Sequence, residues 1–210
     1  LDAKIENKAS VTLFTSFNPG SGKSFLTMNT AATFAMKGKR ILVIDGDLRR
    51  GSASAYLGSQ HKGLSDYLGK RESCLDALVQ ENPDIPGFFL LPAGTIPPNP
   101  TELLAEPLFK ETIEQLRGHY DYILIDCPPI DIVADTQIIE KLADRTVFVV
   151  RAGLLERDML SELQRMYDEK RFKNMALLLN GTEGGGNRYG YRYGYKYGYK
   201  YGYGSKNYYK

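Results

Sequence analysis

A buried-strand pattern that runs straight through a glycine-rich loop into a helix constrains this chain more than any other feature. Residues 10–16, S-V-T-L-F-T-S, read as an apolar strand, and 17–24 read F-N-P-G-S-G-K-S. Residues 23–37 then carry Phe25, Leu26, Met28, Ala32, Phe34 and Ala35 as the apolar part of a helix that stops at Gly38. A strand that turns directly into a helix is the first half of a crossover, and a crossover needs a parallel partner strand. Candidate partners recur at 40–44, 87–91, 122–125, 146–150 and 175–179, all short apolar runs. Helical patterns over 101–117, 135–143 and 156–172 fill the gaps. This alternation predicts an α/β fold, a doubly wound, mostly parallel sheet covered on both faces. With 210 residues, one domain burying roughly 70% of its unfolded surface is expected. Its expected extent is residues 1–183, with G-T-I-P-P-N-P at 94–100 as a stiff loop within it.

The loop itself has chemistry. The pattern G-x-x-x-x-G-K-[ST] is matched at Gly22, Lys23 and Ser24, although Phe17 stands where the first glycine belongs. Gly20 and Gly22 let the backbone curl so that its N–H groups face an anion, and the helix that begins there adds its positive end. Pro19, Gly20, Ser21, Gly22, Lys23, Ser24 and Phe25 are therefore candidates for holding a nucleotide such as ATP. Lys23 would neutralise the β- and γ-phosphates, and Ser24 would ligate Mg²⁺. Carboxylates follow two of the strands: Asp45 and Asp47 in I-L-V-I-D-G-D-L-R, and Asp126 in Y-I-L-I-D-C-P-P. Strand carboxyl ends converge on the ligand crevice of a parallel sheet. Three acids there can hold Mg²⁺ directly or through water, and one can orient a hydroxyl; the competing reading is that they cap the next helices.

The end of the chain has a different composition. From Arg188 to Gly204 it reads R-Y-G-Y-R-Y-G-Y-K-Y-G-Y-K-Y-G-Y-G. Tyr189, Tyr191, Tyr193, Tyr195, Tyr197, Tyr199, Tyr201, Tyr203, Tyr208 and Tyr209 make ten of the fifteen tyrosines. Six basic and no acidic residues follow Gly184, leaving 21 basic against 25 acidic before it, so a mildly acidic body carries a tail of +6. Glycine and lysine between the rings give them nothing to pack on, so residues 184–210 are expected to be a disordered tail behind a flexible linker. Phenolic hydroxyls and a phosphate loop on one chain suggest a kinase acting on tyrosine. Basic groups interleaved with rings could also bind single-stranded nucleic acid; that partner is not expected here.

Taken together, the loop, D-G-D-L-R and I-L-I-D-C-P-P resemble the Walker A, Walker A′ and Walker B motifs of bacterial tyrosine kinases. L-P-A-G-T-I-P-P-N-P-T-E-L-L at 91–104 and the tyrosine-rich tail resemble the same family and help separate it from MinD/ParA-like relatives, which share the phosphate-loop fold. The resemblance implies Lys23 on the phosphates, Ser24, Asp47 and Asp126 around Mg²⁺, and Asp45 as the base or hydroxyl-orienting group. Arg49 matches the arginine of Walker A′ and would stabilise the transferring phosphate. Asn180, in L-L-L-N, falls where relatives place an adenine-reading amide; a strand-end turn is the competing reading. The resemblance further implies autophosphorylation of the tail between subunits of a ring-like homo-oligomer and a role in capsular or exopolysaccharide export. It implies a transmembrane activator segment on this or a companion chain, a cognate tyrosine phosphatase, and residence at the cytoplasmic face of the bacterial inner membrane. The family's E-x-x-R-x-x-R pattern before the first strand is absent from L-D-A-K-I-E-N-K.

Cys74 and Cys127 lack metal-like spacing and suggest a reducing compartment. No run reaches the roughly 18 apolar residues needed to cross a bilayer, so this stretch alone is expected to be soluble. Because it starts at Leu1, it is expected to be a piece of a longer polypeptide. The alternative function is a MinD/ParA-like positioning switch that hydrolyses ATP, with the basic aromatic tail binding a partner or nucleic acid.

Overall fold

A computed structural model describes residues 4–5, 8–57, 62–130 and 134–182. In chain order the elements are β1 (Lys4–Ile5), β2 (Lys8–Thr15), α1 (Lys23–Ala35), β3 (Ile41–Asp45), a 3-10 turn (Ser54–Leu57), α2 (Leu64–Leu68), β4 (Gln80–Glu81) and β5 (Phe88–Leu91). There follow α3 (Pro100–Ala105), α4 (Pro107–Arg117), β6 (Tyr122–Asp126), α5 (Asp135–Glu140), β7 (Arg145–Arg151), α6 (Met159–Asp168) and β8 (Met175–Asn180). The expected tail residues, Tyr189 to Tyr209, lie outside the described residues.

The sheet runs β4-β5-β3-β6-β2-β7-β8. From β5 to β8 every pairing is parallel; β4 is antiparallel to β5, and β1 is antiparallel to β2. All six apolar runs of the sequence are strands of this sheet. The two added strands are two residues each, too short to show a period.

The strand period of two sorts the core. Val11, Leu13, Leu42, Ile44, Ile123 and Ile125 pack with Leu64 of α2, Leu104 of α3, Phe109 and Ile113 of α4, and Ile139 of α5. Their sequence neighbours Phe14, Ile41, Val43 and Leu124 pack on the other face with Met28, Ala31 and Ala35 of α1. On β7, Phe148 joins Leu163 and Met166 of α6 in a third cluster, while Val149 joins the α1 side. The sheet is thus covered on both faces. Fully burying side chains of this size is worth about 1.5–3 kcal/mol each, which fixes the register of every strand.

Besides α1, which ends at Ala35 rather than 37, and α2, which the sequence reading did not contain, three helices differ from that reading. The pattern at 101–117 is two helices rather than one. Glu106 is extended (φ −63°, ψ 143°) because the ring of Pro107 forbids a helical residue before it, and Pro107 then starts α4. The pattern at 156–172 forms a helix only over Met159–Asp168, with Lys170 left-handed beyond it (φ 53°). The third helix ends at Glu140 rather than 143. Among the described residues no helix is long and apolar enough to cross a membrane.

Candidate active site

β2, β3 and β6 end side by side, with Asp45 and Asp126 paired across β3 and β6 and Asp126 beside Phe14 of β2. These carboxyl ends form the floor of the site, and the loop after β2 arches over it.

The loop is held by its own hydroxyls. Ser16 Oγ and Ser21 Oγ both donate to the carbonyl of Asn18, each at 2.8 Å. Gly20 and Gly22 have φ of 76° and 94°, the left-handed geometry that turns successive N–H groups to one side. At Gly22 a Cβ would also meet the side-chain amide of Asn180, so even a residue tolerant of that φ would have to displace it. Phe17, in place of the pattern's first glycine, is buried against Phe148 with ring centroids 4.9 Å apart. The loop's start is therefore pinned in the α6 cluster, and its flexibility is not needed there.

Lys23 is buried, with Nζ donating to Ser16 Oγ at 3.1 Å. Burial lowers its pKa, opposed by the charges of Asp126 and then Asp47. Asp126 is 1% exposed, and its Oδ1 has no hydrogen-bond partner. Burial, then the charge of Asp45, raises its pKa to about 7, against a hydrogen bond from Ser24 and the charge of Lys23. Asp47 accepts the backbone N–H groups of Arg49 and Arg50 at Oδ1 (3.2 and 3.1 Å). Lys23, Ser24, Asp47 and Asp126 thus form one charged group beneath the loop. It suits Mg²⁺: an unpartnered buried carboxylate oxygen beside a hydroxyl offers hard ligands, and Mg²⁺ keeps several waters. Among the described residues no group of three or more His, Cys, Asp or Glu could hold a metal alone, so phosphate and water oxygens would complete the shell.

Asp45 is different. It is fully buried and accepts Ser54 N (2.7 Å), Ser54 Oγ (2.6 Å) and Asp47 N (3.2 Å). Burial raises its pKa to about 6, with the bonds from Ser54 pulling the other way. Its oxygens are occupied within the protein, and Ser54 Oγ passes the tie on to Ala93 N at 2.8 Å. Orienting a substrate hydroxyl would require exchanging one of these bonds, so the geometry supports Asp45 as a brace of the loop after β3.

Arg49 is engaged by α3 and α5. Its Nε donates to Asp135 Oδ2 (3.2 Å) and its Nη2 to Thr101 Oγ1 (2.9 Å), and Thr101 donates in turn to Asp135 Oδ1 (2.5 Å). Asn180 donates from Nδ2 to Ser21 O and accepts Gly181 N at Oδ1, both 2.9 Å. The end of β8 thereby props the loop, the strand-end role that competed with adenine reading. Phe25, on the first turn of α1, is exposed. Sequence reasoning missed Ser54, Thr101, Asp135 and Arg151. The last ends β7 on the site side and donates to Gly20 O at 2.7 Å; its position at the carboxyl end of a strand was the available signal.

A phosphate-accepting loop over paired strand-end carboxylates defines a P-loop nucleotide-binding α/β domain. Residues 10–168 match the family model described as an AAA domain. The tyrosine-protein kinase CpsD of Streptococcus pneumoniae is 37% identical over 163 residues, 76% of this chain and 71% of that protein. Among solved structures, the kinase domain of the Escherichia coli tyrosine kinase ETK has a TM-score of 0.77 at 31% identity, covering 90% of this chain and 74% of that one. The Pyrococcus horikoshii septum site-determining protein MinD, complexed with Mg-ADP, has a TM-score of 0.66 at 24% identity over 81% of this chain and 69% of that one, which shows a shared fold. This chain belongs to the bacterial tyrosine kinase family.

Proposed function

We propose that this chain uses ATP and Mg²⁺ to phosphorylate the tyrosines of its own terminal cluster, residues 189–209, and thereby regulates capsular or exopolysaccharide synthesis and export. The observation that carries the reading is the group of Lys23, Ser24, Asp47 and Asp126 beneath the loop, on a chain that also holds ten closely spaced tyrosines. Family membership supports the reaction class.

In this reading a tyrosine oxygen forms a bond to the γ-phosphorus as the bond to the β,γ-bridging oxygen breaks, and the phenol proton leaves to a carboxylate or water. Backbone N–H groups of residues 20–24 hold the phosphates, and Lys23 Nζ turns from Ser16 to them. Bound Mg²⁺ would neutralise the charge that develops on the leaving phosphate. Ser24, Asp47 and Asp126 would hold it. Arg49, released from Asp135, reaches the transferred group, and Asp45 keeps Asp47 in place through its backbone N–H. Catalysis here is positioning and charge neutralisation. The same reading includes a ring-like homo-oligomer, a transmembrane activator segment, a tyrosine phosphatase that resets the tail, and work at the cytoplasmic face of the membrane.

Lys23→Met tests it. Tail phosphorylation should fall by at least 10²-fold while the far-ultraviolet circular dichroism is unchanged. Normal incorporation by a folded variant would sink the assignment of the loop.

A further inference from the structure

The joint between α6 and β8 is an apolar groove that nothing among the described residues covers. It has a volume of about 420 Å³ and is lined by Leu160, Leu163, Gln164, Tyr167, Met175 and Leu177. Leu160, Tyr167 and Leu177 are 54%, 61% and 61% exposed, and Leu179 extends the strip at 60%. Isolated exposed leucines are ordinary, but four large apolar side chains along one strand and its helix mark a contact surface. β8 is also the last strand of the sheet: β7 is its sole partner among the described residues, so its outer edge can accept another strand.

We propose that this groove is a docking site for the first tyrosines of the same chain, Tyr189, Tyr191 and Tyr193, held antiparallel against the edge of β8. Three observations select that occupant. The first is continuity. β8 ends at Asn180, Gly181 has a left-handed φ of 67°, and only residues 181–187 separate the strand from Arg188. Seven residues, four of them glycine, reach about 23 Å when stretched, while a neighbouring strand is about 5 Å away. The second is parity. Every tyrosine from 189 to 203 occupies an odd position, so an extended chain carries all its rings on one face. Met175, Leu177 and Leu179 share the α6 face of β8, since Leu177 and Leu179 pair with Phe148 and Val150. An antiparallel register placing Tyr189, Tyr191 and Tyr193 opposite Leu179, Leu177 and Met175 sets rings over the groove and leaves Gly190 and Arg192 on the far side. The third is charge. The tail is +6 and the remainder of the chain has four more acidic than basic residues.

Docking would withhold the first three tyrosines from any active site and leave the distal ones free. Insofar as the tail is the phosphoacceptor, as proposed above, it is also a switch: a phosphate carries about −1.5 to −2 charges and cannot enter an apolar groove, so modifying Tyr191 would release the strand.

Hydrogen exchange of the β8 amides tests this on the full, unphosphorylated chain without ATP, so the result does not depend on kinase activity. Amides of 176–180 should exchange at least about tenfold faster in a Tyr189, Tyr191, Tyr193→Ser variant than in the native chain, with β7 amides unchanged. The substitutions touch none of the described core residues. Leu177→Glu should give the same loss. ATP with Mg²⁺ should produce it in the native chain through phosphorylation. Equal β8 exchange in the native and triple-serine chains would overturn the proposal while leaving the proposed function intact. Protection that fades on dilution would overturn it too, because the occupant would then be the tail of a second copy.

Discussion

Lys23 and Asp126 show how a site for a charged ligand costs the protein that builds it. The lysine is buried with a lowered pKa, and the aspartate is buried with a raised one and an oxygen left unpartnered. Burial works against the charged form of each. This predicts a pH dependence. Asp126 and Asp45 have folded pKa values raised to about 7 and about 6 from 3.8, so the folded state binds protons that the unfolded state has released. Their contribution to stability is greatest near pH 4 and is lost as pH rises to about 7. The metal-free chain should therefore unfold at a higher temperature at pH 5.5 than at pH 8, and Asp126→Asn should flatten that slope. A wild-type melting temperature that rises from pH 5.5 to 8, or an unchanged slope in the variant, would contradict the burial argument. At this scale the sequence was legible where residue type and strand-end position suffice. Lys23, Ser24, Asp47 and Asp126 do converge. It was not legible where partners are distant in sequence: the pairing of Arg49 with Asp135, 86 residues away, and of Asn180 with Ser21 depends on the assembled sheet.

Elements were legible wherever a period was long enough to show. The six apolar strands and α1 needed only hydrophobic runs bounded by polar residues or glycine. The break at Glu106–Pro107 was visible in the proline but was outweighed by the helical spacing around it; the steric rule wins because Pro107 offers no N–H to continue the ladder. α4 then carries a device that no pattern announces. Arg117, its last residue, is buried and donates from Nη1 to Ala9 O (2.7 Å) and Asp144 Oδ2 (2.6 Å), and from Nη2 to Leu142 O (3.0 Å). Asp144 also accepts Val11 N at 2.8 Å, so one ion pair ties α4 to β2 and to the start of β7. Arg117→Met strands that carboxylate and two carbonyls and should cost about 3–5 kcal/mol, seen as a lower urea midpoint with an unchanged m-value. A loss below about 1 kcal/mol would show the pair to be incidental.

The whole molecule joins an acidic body to a basic, tyrosine-rich tail. About ten residues separate Asn180 from Tyr191, spanning roughly 17 Å on average and about 35 Å at full stretch if flexible, which reaches the chain's own site or a neighbour's. The proposed oligomer favours the neighbour. Mixing full-length Lys23→Met chains with active chains lacking 187–210 should label the inactive chain's tail. Labelling restricted to tails carried by active chains would refute transfer between subunits. The fold's class was legible at this scale because strand and helix alternate cleanly; the open outer edge of β8 was not, because a strand's place in the sheet order is set by pairings distant in sequence.

The most direct test of the phosphate loop as a tyrosine kinase site is the intact mass of the chain after incubation with ATP and Mg²⁺. The expected result is a ladder of added phosphates, mapping by fragmentation to tyrosines 189–209 and absent without Mg²⁺. A chain of unchanged mass that releases free phosphate into solution would contradict it, and would make this domain an ATPase of the MinD kind.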